Sequence, residues 1–487
     1  MGGTLSIAEL MSVSGVSFGT SGARGLAAAM TDRVCYAYTA AFLEHLESLQ
    51  EIRHGSRVAL AGDLRPSTPR ILAACAAAIE DSGYAPVNCG AIPTPAVANW
   101  AIREGIASLM VTGSHIPDDR NGIKFYRPAG EILKADEAAI RARSVEIPGA
   151  RFTSDDVLLQ PALPTASPVA YRAYVQRYVD FFPPRCLAGR RVGVYEHSTV
   201  AREALAEVLA ALGAQVVPLG RAERFVPVDT EAIRAEDVAL ARRWAAEVGF
   251  DAIVSADGDG DRPLVGDERG TWLRGDVAGI LTARYLGADQ VVTPVSSNTA
   301  LERSGWFAAT IRTRIGSPFV IEGMQQAAGR CVVGYEANGG FLTQSDVARD
   351  GRRLPALPTR DALVVALAVV GLAAERGIPV SGLAALLPPR FTASDRLKEF
   401  PTLLAQQRIA GLSSGGPQAI AAAFPDLGAV RDIDETDGLR IGFAAGDIVH
   451  LRPSGNAPEL RCYVEADSEG RATALLQRCL SVLELWR

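Results

Sequence analysis

Lysine is almost missing from this 487-residue chain: Lys124, Lys134 and Lys398 stand against 46 arginines. So strong a bias makes each retained lysine worth examining. Ordered cysteine pairs are missing too. The seven cysteines, at positions 35, 75, 89, 186, 331, 462 and 479, include no C-x-x-C and are odd in number. They read as reduced, buried thiols of a cytosolic protein, which excludes a disulfide framework. No apolar run is long. The longest, Ala362–Ala374, has thirteen residues between Asp361 and Glu375, whereas a membrane helix needs ~20. A buried helix is expected there, with no membrane contact. Excess positive charge is absent as well: 49 basic against 55 acidic residues give −6. That argues against a dedicated nucleic-acid binder, so an anionic ligand must be held by locally placed basic groups. The first twenty residues have neither the basic nor the apolar segment of a signal peptide, and a cytoplasmic location is expected.

What is present is a foldable chain, 48% hydrophobic and 21% charged, which excludes disorder. Short β-rich runs alternate with alanine-rich helical stretches. Arg57–Ala61, Tyr84–Cys89 and Ala107–Thr112 read as strands, with helices over Pro69–Ser82 and Pro95–Glu104. After a proline-rich stretch the cycle restarts with strands Arg191–Glu196, Gln215–Pro218 and Ala252–Ala256 and helix Val200–Leu212. A third cycle has strands Val291–Pro294 and Cys331–Gly334 and helices Asp276–Tyr285 and Pro318–Ala328. Such alternation predicts α/β units with mixed or parallel sheets. The last hundred residues differ. Arg390–Ser394, a helix near Pro401–Gln407, two β-like runs ending in Leu460–Ala466 and a final helix Glu469–Trp486 predict a smaller α+β unit. The expected organisation is four domains: 1–160, 161–268 and 269–388, related and α/β, then 389–487.

Four loops carry chemistry. Thr112-Gly113-Ser114-His115-Ile116-Pro117 follows a strand, where α/β sheets place ligands. A serine hydrolase fits poorly, because the G-x-S-x-G elbow is absent and His115 is too close in sequence to serve Ser114 as triad base. Asp257-Gly258-Asp259-Gly260-Asp261-Arg262 sets three carboxylates at alternate positions. A hard divalent cation resolves their repulsion; the alternative is a solvated acidic turn. An EF-hand is a poor match, since Arg262 stands where its sharp turn needs glycine and a strand leads in. Gly334-Tyr335-Glu336-Ala337-Asn338-Gly339-Gly340 offers a carboxylate and an amide to sugar hydroxyls, or is a plain hairpin. In Arg452-Pro453-Ser454-Gly455-Asn456-Ala457-Pro458-Glu459-Leu460-Arg461, two arginines flank a turn able to form an anion nest, or a surface hairpin with exposed arginines.

Together and in this order, the four loops resemble the α-D-phosphohexomutase family, which includes phosphomannomutases, phosphoglucomutases and phosphoglucosamine mutases. Phe18-Gly19-Thr20-Ser21-Gly22-Ala23-Arg24-Gly25, Gly62-Asp63-Leu64-Arg65-Pro66-Ser67, Ile92-Pro93-Thr94-Pro95, Asn121-Gly122-Ile123-Lys124 and Asp437-Gly438-Leu439-Arg440 extend the likeness over nearly the whole chain. The resemblance implies four domains around a central cleft. It implies that Ser114 carries the phosphoryl group. Asp257, Asp259 and Asp261, with an oxygen of phosphorylated Ser114, would bind one Mg²⁺ per active site. Arg24, His115, Lys124 and Arg262 would surround the transferring group, with Lys124 as general base or as a charge clamp. Glu336 and Asn338 would meet the sugar. Arg452, Ser454, Gly455, Asn456 and Arg461 would grip the phosphate that does not react.

The implied reaction is an isomerisation by double phosphoryl transfer between hexose 6-phosphate and hexose 1-phosphate, through a bisphosphate that turns over in the cleft. Glucose or mannose 1,6-bisphosphate is the implied activator. A phosphomannomutase is expected first, then a phosphoglucomutase or a phosphoglucosamine or acetylglucosamine-phosphate mutase. A sugar phosphatase or a non-catalytic sugar-phosphate binder is a more distant alternative. Hexose phosphates are the expected partners, and a monomer or homodimer the expected state. Gly113, Ile116, Asn338, Asn456 and Ala457 depart from the family's usual residues, and Ser317 brings no charge to the hinge-side loop. The departure at Asn338 leaves the choice of hexose open.

Overall fold

The computed structural model describes residues 3–19, 22–454 and 458–487. Its first sheet has Arg57–Gly62 parallel to both Ala85–Ala91 and Ala107–Val111, and Arg120–Arg127 antiparallel to Ala107–Val111. Ala23–Leu26 and Ser17–Phe18 extend the antiparallel side. Ala107-Ser-Leu-Met-Val111 is buried at every position, the mark of a strand covered on both faces. The second sheet runs Gln215–Leu219, Arg191–Tyr195, Ala252–Ala256 and Pro263–Gly266; only the last pairing is antiparallel. The third repeats that pattern with Ala309–Thr313, Gln290–Pro294, Val332–Tyr335 and Phe341–Thr343.

This common topology positions the chemistry. In each sheet, one loop leaves the carboxyl end of a parallel strand and returns on an antiparallel neighbour. Those three loops are 112–119, 257–262 and 336–340, which carry Ser114, the three aspartates and Glu336.

One apolar cluster extends from Ala59 through Leu387, so the first three units share a core. Within it lies the helix Ala362–Arg376, apolar on all sides and buried from Ala362 to Ala373. The Asp361 side chain caps it, accepting from Leu363 N, and Gly377 closes it at φ 66°. Among the described residues no single helix is long and apolar enough to cross a membrane.

The C-terminal unit has its own core. Its five-stranded antiparallel sheet runs Phe391–Lys398, Glu459–Ala466, Ile448–Pro453, Leu439–Phe443, Val430–Asp434. Two expectations need correction here. Four strands, not two β-like runs, follow the first helix; three of them are short and separated by tight turns at Gly438 (φ 80°) and Gly446 (φ 94°). The helix expected near Pro401–Gln407 continues as Thr402–Ala423 across a kink at Gly416-Pro417, where proline cannot donate to the preceding turn.

Candidate active site

Ser114 lies just past the buried strand Ala107–Val111, at φ 57°, a left-handed conformation rare for a residue with a Cβ. Thr112 Oγ1 fixes the turn by accepting from Ser114 N at 2.7 Å. Ser114 is 1% exposed, and its hydroxyl donates to Asp257 Oδ2 at 2.6 Å. Ser114 of the first sheet thus meets the acidic loop of the second.

Asp257, Asp259 and Asp261 are all fully buried, each offering a carboxylate oxygen within 4.8 Å of the others. Their remaining oxygens are well used. Asp257 Oδ1 accepts from Asp261 N and Arg262 N, and Asp259 Oδ2 from Thr94 Oγ1 at 2.5 Å. Among the described residues, Asp259 Oδ1 and Asp261 Oδ1 have no hydrogen-bond partner. The nearest cation to Asp261 Oδ1 in an ion pair is Arg262 Nε, at 3.8 Å. Buried, unpaired carboxylate oxygens are costly, and this all-oxygen donor set fits a hard divalent cation. Burial and the neighbouring Asp259 and Asp261 push the Asp257 carboxyl well above the usual carboxylate range. Burial opposes the charge on Asp261 too, but Arg360, Lys124 and Arg262 outweigh it and hold that group well below the range.

Lys124 Nζ bonds Asp259 Oδ2 at 2.6 Å and Asp261 Oδ2 at 2.5 Å. Burial disfavours its charge, yet the two aspartates prevail and raise its pKa. The two aspartates thus favour its ammonium form. His115 Nδ1 accepts from Arg262 Nη1 and lies 3.4 Å from Ser114 Oγ. Burial and Arg262 push its imidazole down to about 3, so it is neutral. Arg24 lines the same cleft, its pKa lowered by burial and Arg262 to about 10, still cationic at neutral pH.

That cleft has a volume of about 700 Å³. Glu336 and Asn338 reach it from the third sheet, and Arg452 and Arg461 from the fourth. Asn338 Oδ1 accepts from Gly340 N at 2.9 Å, which tightens the loop 336–340 on itself. Arg452 Nε is paired with Asp437 at 2.9 Å, and Asp437 also accepts from Ile315 N on the third unit. Ser454 is buried, with its N donating to Glu459 O at 2.8 Å. Gly455 and Asn456 lie outside the described residues.

Several site residues escaped the sequence reading. Arg360, 2% exposed, joins two loops: Nε and Nη2 bond Asp261 Oδ2 at 3.0 and 2.9 Å, and Nη1 bonds Glu336 Oε2 at 3.2 Å. Its neighbours fasten other units. Thr359 donates to Glu131 at 2.6 Å, and Asp361 accepts from Tyr174 at 2.6 Å and from Tyr178. The available signal was a charged Thr-Arg-Asp triplet opening the most apolar helix. Asp229, Glu231 and Arg274 also line the cleft, without a motif that singles them out. Ser317, the chargeless hinge-side residue, donates to Glu131 Oε2 at 3.2 Å.

Family models match four stretches that together span most of the chain. They are the phosphoglucomutase/phosphomannomutase alpha/beta/alpha domain I at residues 15–148, domain II at 170–270, domain III at 274–391, and the C-terminal domain at 405–481. A phosphomannomutase of Sinorhizobium fredii is 44% identical over 472 residues, covering 96% of this chain and 99% of that protein. A phosphoglucosamine mutase of Mesorhizobium japonicum is 31% identical, over 97% of this chain and 98% of its own length. A crystal structure of a phosphoglucomutase/phosphomannomutase family protein of Burkholderia thailandensis superposes with a TM-score of 0.73 at 18% identity, covering 99% of this chain and 97% of the other.

Proposed function

The chain belongs to the phosphoglucomutase/phosphomannomutase family, and from that premise we propose that it interconverts mannose 6-phosphate and mannose 1-phosphate through a phosphorylated Ser114. The carrying observation is the contact between Ser114 Oγ and Asp257 Oδ2, beside two carboxylate oxygens that lack partners. The 44% identity to a phosphomannomutase, against 31% to a phosphoglucosamine mutase, favours mannose among the hexoses.

In this reading a free hydroxyl of the sugar phosphate attacks the phosphorus of phosphorylated Ser114. The new P–O bond forms as the P–Oγ bond breaks; the hydroxyl loses its proton and Ser114 regains one. The bisphosphate turns over, and the other phosphate returns to Ser114. Arg452, Ser454, Gly455, Asn456 and Arg461 hold whichever phosphate is not reacting. Glu336 and Asn338 accept and donate at the sugar hydroxyls. Lys124, Arg24 and Arg262 offset the charge of the moving phosphoryl group, and neutral His115 accepts from Arg262 to fix it in place. Such positioning and electrostatic stabilisation supply most of the catalysis in phosphoryl transfer. Asp257, Asp259, Asp261 and an oxygen of the phosphorylated serine would hold one Mg²⁺, which supplies Lewis-acid charge to that group.

A hexose 1,6-bisphosphate, glucose or mannose, serves as activator by rephosphorylating any Ser114 that has lost its group. One chain carries all four loops, so a monomer suffices and a homodimer is compatible. A cytoplasmic location accords with sugar-phosphate substrates.

The test is phosphorus NMR on a panel of mannose, glucose, glucosamine and acetylglucosamine 1-phosphates. Conversion of mannose 1-phosphate to its 6-phosphate, fastest in the panel and without free phosphate, is the expected result. Net phosphate release would instead mark a phosphatase.

A further inference from the structure

Arg65 is the least exposed large side chain of the Gly62–Ser67 segment, at 1%, and every N–H of its guanidinium is used. Nε donates to Asp63 Oδ2 at 2.9 Å. Nη1 donates to the carbonyls of Pro117 and Arg120 at 2.6 and 3.0 Å. Nη2 donates to the carbonyls of Ser114 and Ile116 at 2.9 and 2.6 Å. One side chain therefore holds three carbonyls of the loop that carries the nucleophile and a fourth, of Arg120, where the next strand begins. Asp63 reaches the same loop by another route: its Oδ2 accepts from Thr112 Oγ1 at 2.7 Å, and Thr112 Oγ1 accepts from Ser114 N.

The face of the guanidinium is covered from the second unit. The Phe225 ring centroid lies 4.1 Å from Arg65 Cζ, a cation–π distance. Phe225 is tied in turn to the metal loop. Val226 N donates to Ser198 Oγ at 2.7 Å, Thr199 Oγ1 to Asp257 O at 2.6 Å, and Val200 N to Gly258 O at 3.1 Å. The packing leaves no slack. A Cβ at Gly258 would lie 2.7 Å from Ser114 O and 3.0 Å from the Phe225 ring, and a Cβ at Gly113 would lie 2.6 Å from Arg65 Cζ. Glycine at 113, a departure from the family's usual alanine, leaves the guanidinium its room.

We propose that Arg65, clamped between the carbonyls of the nucleophile loop and the ring of Phe225, is the positioning residue that holds Ser114 in its left-handed conformation and sets its hydroxyl against Asp257. A non-glycine residue in that conformation persists only where its surroundings over-determine it. The carbonyl of Ser114, turned to Arg65, is what directs the side chain toward the aspartates. Arg65 contacts neither the acidic cluster nor the sugar loop, so it acts on the reacting atom through the backbone. This inference rests on the phosphoryl-transfer reading of Ser114.

Arg65→Lys keeps the charge and removes the fork, since a point ammonium cannot serve five acceptors in one plane. The experiment measures kcat, KM and Mn²⁺ affinity for the wild type, Arg65→Lys, Phe225→Leu and the double variant. A displacement of the nucleophile by an ångström predicts a fall in kcat of about 10²-fold for Arg65→Lys. KM stays close to wild type, because the phosphate loop is intact, and so does the Mn²⁺ affinity of the unphosphorylated enzyme, because the three aspartates are intact. Phe225→Leu gives a smaller fall in the same parameter, and its effect shrinks in the Arg65→Lys background, as expected of one coupled unit. Should Arg65→Lys fail to fold, Phe225→Leu and Gly113→Ala, which leave the buried ion pair in place, carry the test through kcat. The proposal is overturned if Arg65→Lys keeps wild-type kcat, if the losses multiply independently, or if the Mn²⁺ affinity of the unphosphorylated enzyme falls along with kcat. Inactive wild-type enzyme would overturn the mutase reading instead, which separates the two failures.

Discussion

The two ends of the cleft are built on opposite plans. At the reacting end, Ser114, the three aspartates, Lys124 and Arg360 are buried, and nearly every polar atom faces a partner. At the gripping end, the arginines lie on the rim of a separate antiparallel unit. Arg461 pairs loosely with Glu459, at 3.7 Å, with its side chain 34% exposed. The difference follows from the task. A phosphoryl group in flight needs fixed charge in a dry setting. A grip that must accept either end of the same sugar needs adaptable donors, held by a unit with its own core. Asp437 joins the two plans, pairing Arg452 while accepting from Ile315 on the third unit.

Removing fixed charge from the reacting end should do the most damage. Lys124→Met leaves Asp259 and Asp261 facing each other without their ammonium. Steady-state kinetics should then show kcat reduced by ~10²–10⁴. Its melting temperature should gain more from added Mg²⁺ than the wild type's, because a cation now replaces the missing charge. An unchanged kcat would deny Lys124 any part in transfer.

At the gripping end the loss should appear in binding. Arg452→Lys keeps charge but loses the planar fork, so KM should rise by about 10-fold, the value of a charge-assisted hydrogen bond, while kcat moves little. A loss confined to kcat would place Arg452 at the reacting end and erase the contrast.

Acid should act next. His450 is 2% exposed, donates from Nε2 to Asp437 O at 2.6 Å, and has no partner on Nδ1 among the described residues. Burial pushes its pKa down to about 4, despite the bond to Asp437 and with Arg440 and Arg452 nearby. The unfolded chain binds that proton near pH 6.5. The stability that neutral His450 contributes is therefore complete above about pH 6.5 and is lost as pH falls toward 4. His197, fully buried and also pushed down to about 4, adds to the same window from the second unit. Denaturant melts at pH 7 and pH 4.5 should differ by on the order of 2 kcal/mol from each histidine. His450→Asn should flatten part of that slope; an unchanged slope would mean that His450 titrates normally.

The smallest effect concerns the sugar. Asn338→Ser restores the residue usual in the family and removes the bond to Gly340 N. It should shift the ratio of kcat/KM for mannose and glucose phosphates only severalfold, the scale of one neutral hydrogen bond at ~1 kcal/mol. No change in the ratio would remove Asn338 from hexose choice.

The contrast was partly legible in the amino-acid order. Ser114, the aspartate triplet, Glu336 and the arginine-flanked turn stand in short loops whose composition states their chemistry, and the alternation of strands and helices located them on sheets. Strands such as Ala252–Ala256, apolar but for Ser255 and bounded by turn residues, could be read directly. What remained hidden depends on distant partners. Arg360 lies 99 residues from Asp261, and the charged triplet around it does not say which loops it joins. Arg65 stood in a noted motif, but its role comes from carbonyls 49 to 55 residues away. In the C-terminal unit, Val430–Asp434 has no buried residue, and it and Leu439–Phe443 are only five residues long and set between turns, too short to stand out as strands.

The central claim is that Ser114 is the phosphoryl carrier at a rigid reacting end. It is tested most directly by single turnover of enzyme bearing labelled phosphate. The wild-type enzyme, loaded from a labelled hexose bisphosphate and mapped by peptide mass, should carry the label on Ser114 alone. On addition of mannose 1-phosphate the label should pass to a mannose bisphosphate, and Ser114→Ala should neither load nor turn over. Label on another residue, or a fully active Ser114→Ala, would contradict the account.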